Sequence, residues 1–421
     1  MSATKMKAQP FDCMQYFYGA VQKPLIRCFV RFNGHMDEKA LKRAIDLSFS
    51  AVPLIGCCFD EKLHCWRKRF FNSMDVLHIV EAKNETTETA WKALLSSIDF
   101  TLEPQLKIFL IQENDHDDLC VIINHMVSDG AGFKQFLYLF AQLYSKCAKD
   151  PGYCELPAPL DRRDFGQILQ NLSVRDELAI LHAKPGSEKQ DPLLRLPFKG
   201  DPSHPFIEML RLKDDFFIQL KSFAKINKAS VNDMFLASYV RAARQITGCR
   251  TVTVPCPVDL RKYKIPSQTF GICNLTGSYS CRITVDAGDS FAATLNKVSR
   301  QMQKKKASMD CLKGPMLYHL LFRILPFRTM KKIFYNVSPV PVTSYSNLGL
   351  LDNTKFRFAG LDVEDAFLST AVKNPPYFQV SISTYKNCCT LASSMYGTEE
   401  DRNTVAYFLA RMRNELENIY Q

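Results

Sequence analysis

The chain has 421 residues, a length that predicts two domains. Hydrophobic residues make up 46% and charged residues 23%, a composition typical of a globular protein. Its formal net charge of +11 favours an anionic partner, but no nucleic-acid-binding pattern accompanies the charge, so we expect no nucleic-acid partner. No apolar run approaches the roughly 18 to 20 residues of a spanning helix, and residues 1–7 lack the apolar region of a signal peptide; we therefore expect a cytoplasmic protein.

The fifteen cysteines lie mostly in apolar runs or as adjacent pairs, unlike the spaced pairs of a zinc site. We interpret them as reduced core residues and expect no metal site.

The first predicted elements are a strand and a helix that Asp37 is placed to cap. Three further strands follow, and a polar turn joins the last two of them. The predicted strands cover 25–32, 54–59, 106–111 and 119–123.

The last of these strands runs directly into Asn124-His125-Met126-Val127-Ser128-Asp129-Gly130. Apolar residues at helical spacing follow, so a helix begins here, and Asp129 or Ser128 is placed to cap it. A histidine at the end of a strand is held by a rigid scaffold and exposed beyond it, where catalytic groups are common.

Proline and glycine concentrate between about 150 and 205, which indicates connecting chain. We therefore predict an N-terminal subdomain at 1–165, a crossover linker at 166–205 and a C-terminal subdomain at 206–421. The second half predicts helices around 217–223, from Ser230, at 288–306 and at 315–335 with a kink at Pro326, strands at 251–254, 279–285, 377–383 and 389–394, and a C-terminal helix.

The His-x-x-x-Asp-Gly pattern resembles the signature of the acyltransferase superfamily that includes chloramphenicol acetyltransferase, nonribosomal peptide condensation domains, wax ester synthases and alcohol acetyltransferases. Three other segments resemble the superfamily in the same order: Val258-Asp259-Leu260-Arg261, Gly271-Ile272-Cys273-Asn274 and Ser346-Asn347-Leu348-Gly349. Asn124 stands where condensation domains usually carry a second histidine. The chain therefore looks most like the free-standing alcohol acetyltransferases or polyketide-associated acyltransferases.

This resemblance implies an α/β fold of two chloramphenicol acetyltransferase-like subdomains, each a mixed sheet with flanking helices, with an active-site tunnel between them. It implies that His125 is a general base for acyl transfer from a thioester to an alcohol or amine, without a covalent acyl-enzyme. Asp129 and Gly130 would be structural, and Arg261 is the candidate ion-pair partner of Asp129.

The oxyanion of the tetrahedral intermediate needs an oriented donor. Asn347 is the first candidate, and Ser346 and Asn274 are alternatives for binding the oxyanion or the substrate. Asn347 and Arg261 also have a plain structural interpretation: an asparagine before Leu-Gly suits a turn, and Arg261 is one of several neighbouring cations.

We expect no permanently bound cofactor; acyl-CoA, or an acyl carrier protein acting in trans, would bring the thioester to a monomeric enzyme. Two alternatives stay open: a stand-alone condensation enzyme that forms amides, and a non-catalytic member that binds a carrier protein. Two basic stretches are candidates for contact with coenzyme A, a carrier or a membrane surface, although solvated helix faces are the simpler interpretation; they are 304–306 and the cations between 323 and 332.

Overall fold

The computed structural model describes residues 5–82, 86–156, 162–183, 190–264, 271–337 and 340–419. Part of the predicted linker, 184–189, therefore lies outside the described residues.

Strands and helices alternate along this part of the chain, as expected for the predicted α/β class. The strands are β1 (Lys5–Lys7), β2 (Gln22–Lys23), β3 (Leu25–Phe32), β4 (Cys57–Asp60), β5 (Cys65–Lys68), β6 (Leu77–Glu81), β7 (Leu106–Gln112), β8 (Asp117–Asn124), β9 (Pro205–Leu212), β10 (Thr251–Asp259), β11 (Thr276–Thr284), β12 (Thr343–Leu351), β13 (Val363–Ser369), β14 (Val372–Lys373), β15 (Phe378–Tyr385) and β16 (Cys388–Tyr396). The helices are α1 (Pro10–Tyr18), α2 (Glu38–Ala51), α3 (Ser73–Val76), α4 (Thr86–Leu95), α5 (Gly130–Lys149), α6 (Gly166–Leu169), α7 (Val174–His182), α8 (Asp214–Ile226), α9 (Val231–Thr247), α10 (Phe291–Ala307), α11 (Lys313–Ile324), α12 (Phe327–Val337) and α13 (Glu399–Glu417).

The chain forms two compact units that are discontinuous in sequence. The first comprises the described residues of Met1–Gln167, Ile265–Leu275 and Leu350–Ala371, and the second comprises the remainder. The first segment of the first unit ends at Gln167. Two segments that we had placed in the C-terminal subdomain nevertheless pack with the N-terminal residues, because β13 pairs with β3 and 271–275 packs beside the end of β8.

The first unit is built on a five-stranded sheet in the order β13-β3-β8-β7-β6. Only β6 and β7 are parallel; the other neighbours are antiparallel, with Leu25 opposite Asn124 at the end of β8. All eight residues of β8 are buried, as its apolar run predicts. A second, three-stranded sheet has the order β1-β5-β4.

The second unit contains the antiparallel pair β10-β11 and a larger sheet in which β12, β15, β16 and β14 lie in that order and β9 also pairs with β16. Helix α9 packs against α10 and α13, and Tyr239 of α9 contacts the ring of Phe408. Among the described residues, no helix is both long and apolar enough to cross a membrane.

The predicted helix starts are confirmed in detail. Asp37 accepts hydrogen bonds from the backbone N–H groups of Lys39 and Ala40, and Ser230 forms a capping box with Asp233. The predicted kink at Pro326 is a complete break: α11 ends at Ile324 and α12 begins at Phe327, because proline cannot continue the helical hydrogen bonds.

Candidate active site

The candidate site lies in the turn between β8 and α5. Backbone and side-chain hydrogen bonds hold this turn in place. The N–H of His125 donates to the carbonyl of Pro24 at 2.7 Å. The buried Asn124 side chain donates to Gln105 at 2.7 Å and accepts from the N–H of Met126 at 2.9 Å. Asn124 occupies the position at which the sequence pattern lacks a second histidine. Its side chain therefore helps to hold the turn in place.

The half-buried His125 ring is oriented by Asn274, which comes from the 271–275 loop. Asn274 Nδ2 donates to the carbonyls of His125 and Met126 at 2.9 and 3.0 Å, so its Oδ1 faces His125 Nδ1 at 3.2 Å. Since Oδ1 can only accept, Nδ1 carries the hydrogen in this hydrogen-bond network. In the neutral ring Nε2 is then the nitrogen with the lone pair.

The role of Asn274 differs from the predicted one. We had named it as an oxyanion or substrate donor, but its two N–H hydrogens are directed at backbone carbonyls, with the buried Asp12 carboxylate 3.4 Å away as a third acceptor. The residue is 3% exposed. Its contacts position the histidine, and no further N–H is left to bind an oxyanion.

Asp129 caps α5 as predicted and also fastens the neighbouring loop. Its Oδ1 accepts from the N–H of Gly132 at 2.8 Å, and its Oδ2 accepts from the N–H of Leu275 at 2.7 Å. The N–H of Asp129 in turn donates to the carbonyl of Cys273 at 3.2 Å. These contacts tie the start of α5 to the 271–275 loop, and Gly130 is the first residue of α5. The structural role of Asp129 and Gly130 in the active site stays a prediction.

An ion pair between a half-buried arginine and a buried aspartate supports the same two loops. Arg163 pairs with Asp12 of α1 at 2.9 Å, and its other terminal nitrogen donates to the carbonyls of Val127 and Ile272 at 2.8 and 2.9 Å. Asp12 is 1% exposed and also accepts from Trp66 at 3.3 Å. One guanidinium therefore holds the turn after β8 and the 271–275 loop together.

Neither Asp12 nor Arg163 was among the predicted site residues. The only local signal was a carboxylate within the apolar segment of α1, beside the buried Phe11 and Cys13. Arg163 lies in the proline-rich stretch, where no periodicity marks it.

The remaining predicted site residues belong to the second unit. Asn347 is in strand β12 rather than in a turn; its Nδ2 donates to Asn232 at 2.8 Å and its Oδ1 accepts from the N–H of Gly349 at 2.8 Å. Ser346 is 9% exposed in the same strand. The guanidinium of Arg261 pairs with Asp259 at 2.9 Å. The oxyanion role of Asn347 or Ser346 and the pairing of Arg261 with Asp129 stay predictions.

The burial of the cysteines gives little support for a catalytic cysteine thiol. Twelve of the fifteen cysteines are buried, including Cys273 in the site loop, and none is in a disulfide. Burial raises the pKa of the Cys57 thiol to about 12, which disfavours the thiolate. Within the described ranges, no group of three or more His, Cys, Asp or Glu side chains is placed to hold a metal ion.

No protein-family model matches the chain. It is 22% identical over 287 residues to cyclosporin synthetase of Tolypocladium inflatum, covering 64% of this chain and 2% of the synthetase. It is 23% identical over 352 residues to the beauvericin nonribosomal cyclodepsipeptide synthetase of Beauveria bassiana, covering 79% of this chain and 10% of that protein. The chain thus spans a tenth or less of the length of these two relatives.

Solved structures resemble the chain over nearly its whole length. Polyketide synthase associated protein 5 from Mycobacterium tuberculosis has 16% identity and a TM-score of 0.66, with 98% of both chains covered. The first condensation domain of the calcium-dependent antibiotic synthetase has 14% identity and a TM-score of 0.70, covering 98% of this chain and 97% of that one. The condensation domain of the Monacolin K polyketide synthase has 13% identity and a TM-score of 0.64, with 99% and 98% covered.

These likenesses confirm the predicted resemblance and fold class. The chain has the chloramphenicol acetyltransferase-like fold of the condensation domains of nonribosomal peptide and polyketide synthetases.

Proposed function

We propose that this protein transfers an acyl group from a thioester to an alcohol or amine, with His125 as the general base. The observation that supports the proposal is the Asn274 contact, because it holds Nδ1 as the protonated nitrogen, so that the lone pair of the neutral ring lies on Nε2. A base needs this oriented lone pair near the nucleophile before it can act.

The proposed reaction has two proton steps and no covalent acyl-enzyme. Nε2 of His125 takes the proton from the hydroxyl or amine as its oxygen or nitrogen attacks the thioester carbonyl. When the tetrahedral intermediate collapses, the C–S bond breaks and the imidazolium returns the proton to the leaving thiolate. The products are an ester or amide and a free thiol.

Asn347 or Ser346 is the proposed donor to the oxyanion, and Asn274 is assigned to positioning instead. Asn347 already donates through Nδ2 to Asn232, so only one of its two N–H hydrogens is available for this task. We propose acyl-CoA or a carrier-bound phosphopantetheine thioester as the donor substrate.

The proposal is tested by incubating the wild-type chain with a panel of acyl-CoA and acyl-pantetheine donors and mixed alcohols and amines. Free thiol is measured in solution, and the acylated product is identified by mass spectrometry. We expect thiol release that depends on the acceptor and matches the ester or amide formed. Thiol release without acylated product would indicate a hydrolase and contradict the proposal.

Amide formation between carrier-bound substrates is a second candidate, favoured by the condensation-domain likenesses. Repeating the panel with donor and acceptor loaded on separate carrier proteins separates the two functions. An amide that forms only from the loaded carriers would establish the condensation reaction. Carrier binding without turnover of any donor would instead establish a non-catalytic member.

A further inference from the structure

The side-chain amide of Asn232 has one orientation that satisfies its neighbours. Asn232 is the second residue of α9, and Asn347 and Tyr345 of β12 both direct hydrogen-bond donors at it. Asn347 Oδ1 accepts from the N–H of Gly349 at 2.8 Å, so the other polar atom of that amide is Nδ2, which donates to Asn232 at 2.8 Å. The atom of Asn232 that accepts this hydrogen bond is therefore Oδ1.

Tyr345 reinforces the same orientation. This residue is buried, and its hydroxyl lies 2.9 Å from Asn232 Oδ1. Burial raises the pKa of the Tyr345 hydroxyl well above its usual value, so the hydroxyl keeps its hydrogen and can donate it. Two donors thus converge on Oδ1, and a flipped amide would place the Asn232 N–H groups against the N–H of Asn347.

The nitrogen of the Asn232 amide is not used within the described part of the chain. Nδ2 carries two N–H hydrogens, and it makes no hydrogen bond to any residue that the structure describes. Asn232 is half-buried, so these hydrogens are not sealed in the core. An amide whose oxygen is held by two donors, and whose N–H groups are open, donates to a ligand without first reorienting.

We propose that Asn232 is a further catalytic residue, which donates to the acyl carbonyl oxygen as that oxygen becomes negative. The inference rests on the proposed function, because this oxyanion forms only when the acceptor attacks the thioester. It adds a donor to Asn347 and Ser346. Asn347 uses one N–H on Asn232 and keeps one, whereas both N–H hydrogens of Asn232 are open.

In this reaction Asn232 transfers no proton. Attack by the hydroxyl or amine converts the C=O double bond to a C–O single bond, and the electron pair stays on the oxygen. The N–H groups of Asn232 stabilise that charge until the C–S bond breaks and the double bond forms again. Hydrogen bonds to a charged oxygen are stronger than those to a neutral carbonyl, so Asn232 lowers the barrier more than it strengthens substrate binding.

The first test measures kcat and KM for acyl-pantetheine in Asn232→Ala, with Tyr345→Phe as the matched control. The control removes one hydrogen bond to Oδ1 but leaves both N–H groups of Asn232 and its bond from Asn347. We expect Asn232→Ala to lower kcat by about 10²- to 10³-fold with KM within about threefold of wild type, and the control to lower kcat less than about tenfold. Circular dichroism checks that both variants fold.

The second test detects the hydrogen bond to the carbonyl without turnover. The probe is an analogue of acyl-pantetheine in which a methylene group separates the sulfur from the carbonyl carbon, so that no thioester is present. We expect infrared difference spectra to show the C=O band of the bound probe at lower frequency in wild type than in Asn232→Ala. A purely structural role for Asn232 would leave this band unchanged.

An Asn232→Ala rate within about threefold of wild type would overturn the inference and retain the proposed function, because the variant frees the second N–H of Asn347 to act as the donor. Equal losses in Asn232→Ala and Tyr345→Phe, or an unchanged C=O band, would also overturn it. A C=O band that depends on Asn232, in a protein that turns over no thioester, would contradict the proposed function and retain Asn232 as a carbonyl-binding residue.

Discussion

Two asparagines hold the catalytic candidate at its backbone and at its ring. Asn124 ties the end of β8 to Gln105, and Asn274 spans the His125 ring nitrogen and the His125 carbonyl. This arrangement gives the ring one orientation and one preferred tautomer. The effect of Asn274 on His125 can therefore be separated from any effect on folding by a pH profile.

We expect Asn274→Asp to shift the acid limb of the kcat/KM pH profile upward by about one unit, because a carboxylate beside Nδ1 favours the imidazolium. The base must lose its proton to act, so a higher pKa moves activity to higher pH. Asn274→Leu should lower kcat by about 10²-fold through misplacement of the ring, without that upward shift. Identical profiles for the two variants would show that Asn274 affects only folding.

Lys373 is a second informative residue, because burial lowers its pKa from 10.5 to about 8. Above pH 8 the folded protein releases this proton while the unfolded chain keeps it up to pH 10.5, so rising pH favours the folded state through that window. Below pH 8 the buried charge lowers stability.

We therefore expect Lys373→Met to raise the free energy of unfolding at pH 7 by about 1 to 3 kcal/mol, and this gain should shrink as the pH rises from 8 towards 10.5. Urea unfolding across that range measures the difference, with the exposed Lys225→Met as the control. A gain that does not change with pH would contradict a lowered pKa for Lys373.

Local sequence patterns predicted the helix caps but not the residues whose hydrogen bonds hold His125 and its turn in place. Asp129 follows a strand and precedes an apolar helical pattern, so capping rules named Asp129 or Ser128 from neighbouring positions alone, and the cap is Asp129. Asn274 is 149 positions from His125, and Arg163 is 151 positions from Asp12. Contacts over such separations depend on the folded path of the chain, which periodicity does not specify.

At the scale of elements, Arg163 joins the turn after β8, the 271–275 loop and helix α1. Arg163→Gln should lower the free energy of unfolding by about 3 to 5 kcal/mol, because it leaves the Asp12 charge buried without its partner. The adjacent Arg162→Gln breaks a mostly exposed pair with Asp164 and should cost under about 1 kcal/mol.

Chemical denaturation of the two variants measures this difference, and adding Asp12→Asn to Arg163→Gln should recover part of the lost stability. An equal decrease in the free energy of unfolding for Arg162→Gln and Arg163→Gln would mean that the Arg163–Asp12 pair does not hold the loops together.

The observed boundaries of helices agree with the predicted ones where the sequence carries a strong local signal. Pro326 separates α11 from α12, and Ser230 starts α9. The segment around Asn347 resembled a turn because of Asn347 and Gly349, yet it belongs to β12. Pairing of β12 with β15 is non-local, and it outweighs the turn preference of these residues.

At the scale of the whole molecule, the length of the chain predicts two domains, and the resemblance to the acyltransferase superfamily implies the α/β class. Neither predicts that a segment from the C-terminal half packs in the first unit, where β13 completes the sheet that contains β8. A proline-rich stretch predicts one linker between two subdomains that are each continuous in sequence. This prediction does not include a strand from the C-terminal half that pairs in the first sheet.

The distribution of cysteines gives a test of the whole fold. Only Cys154 is exposed, whereas Cys65 and Cys388 are half-buried and the other twelve are buried. We expect Ellman's reagent to label one thiol rapidly in the native protein and fifteen in denaturant, because buried thiols are inaccessible to the reagent. Rapid labelling of five or more native thiols would contradict this packing.

The most direct test of the central claim compares His125→Ala with wild type on the best donor and acceptor pair, by single-turnover formation of the acylated product. Loss of a general base predicts a rate about 10²- to 10⁴-fold lower, with the folded state retained by circular dichroism. A variant that acylates the acceptor within threefold of the wild-type rate would show that His125 is not the base.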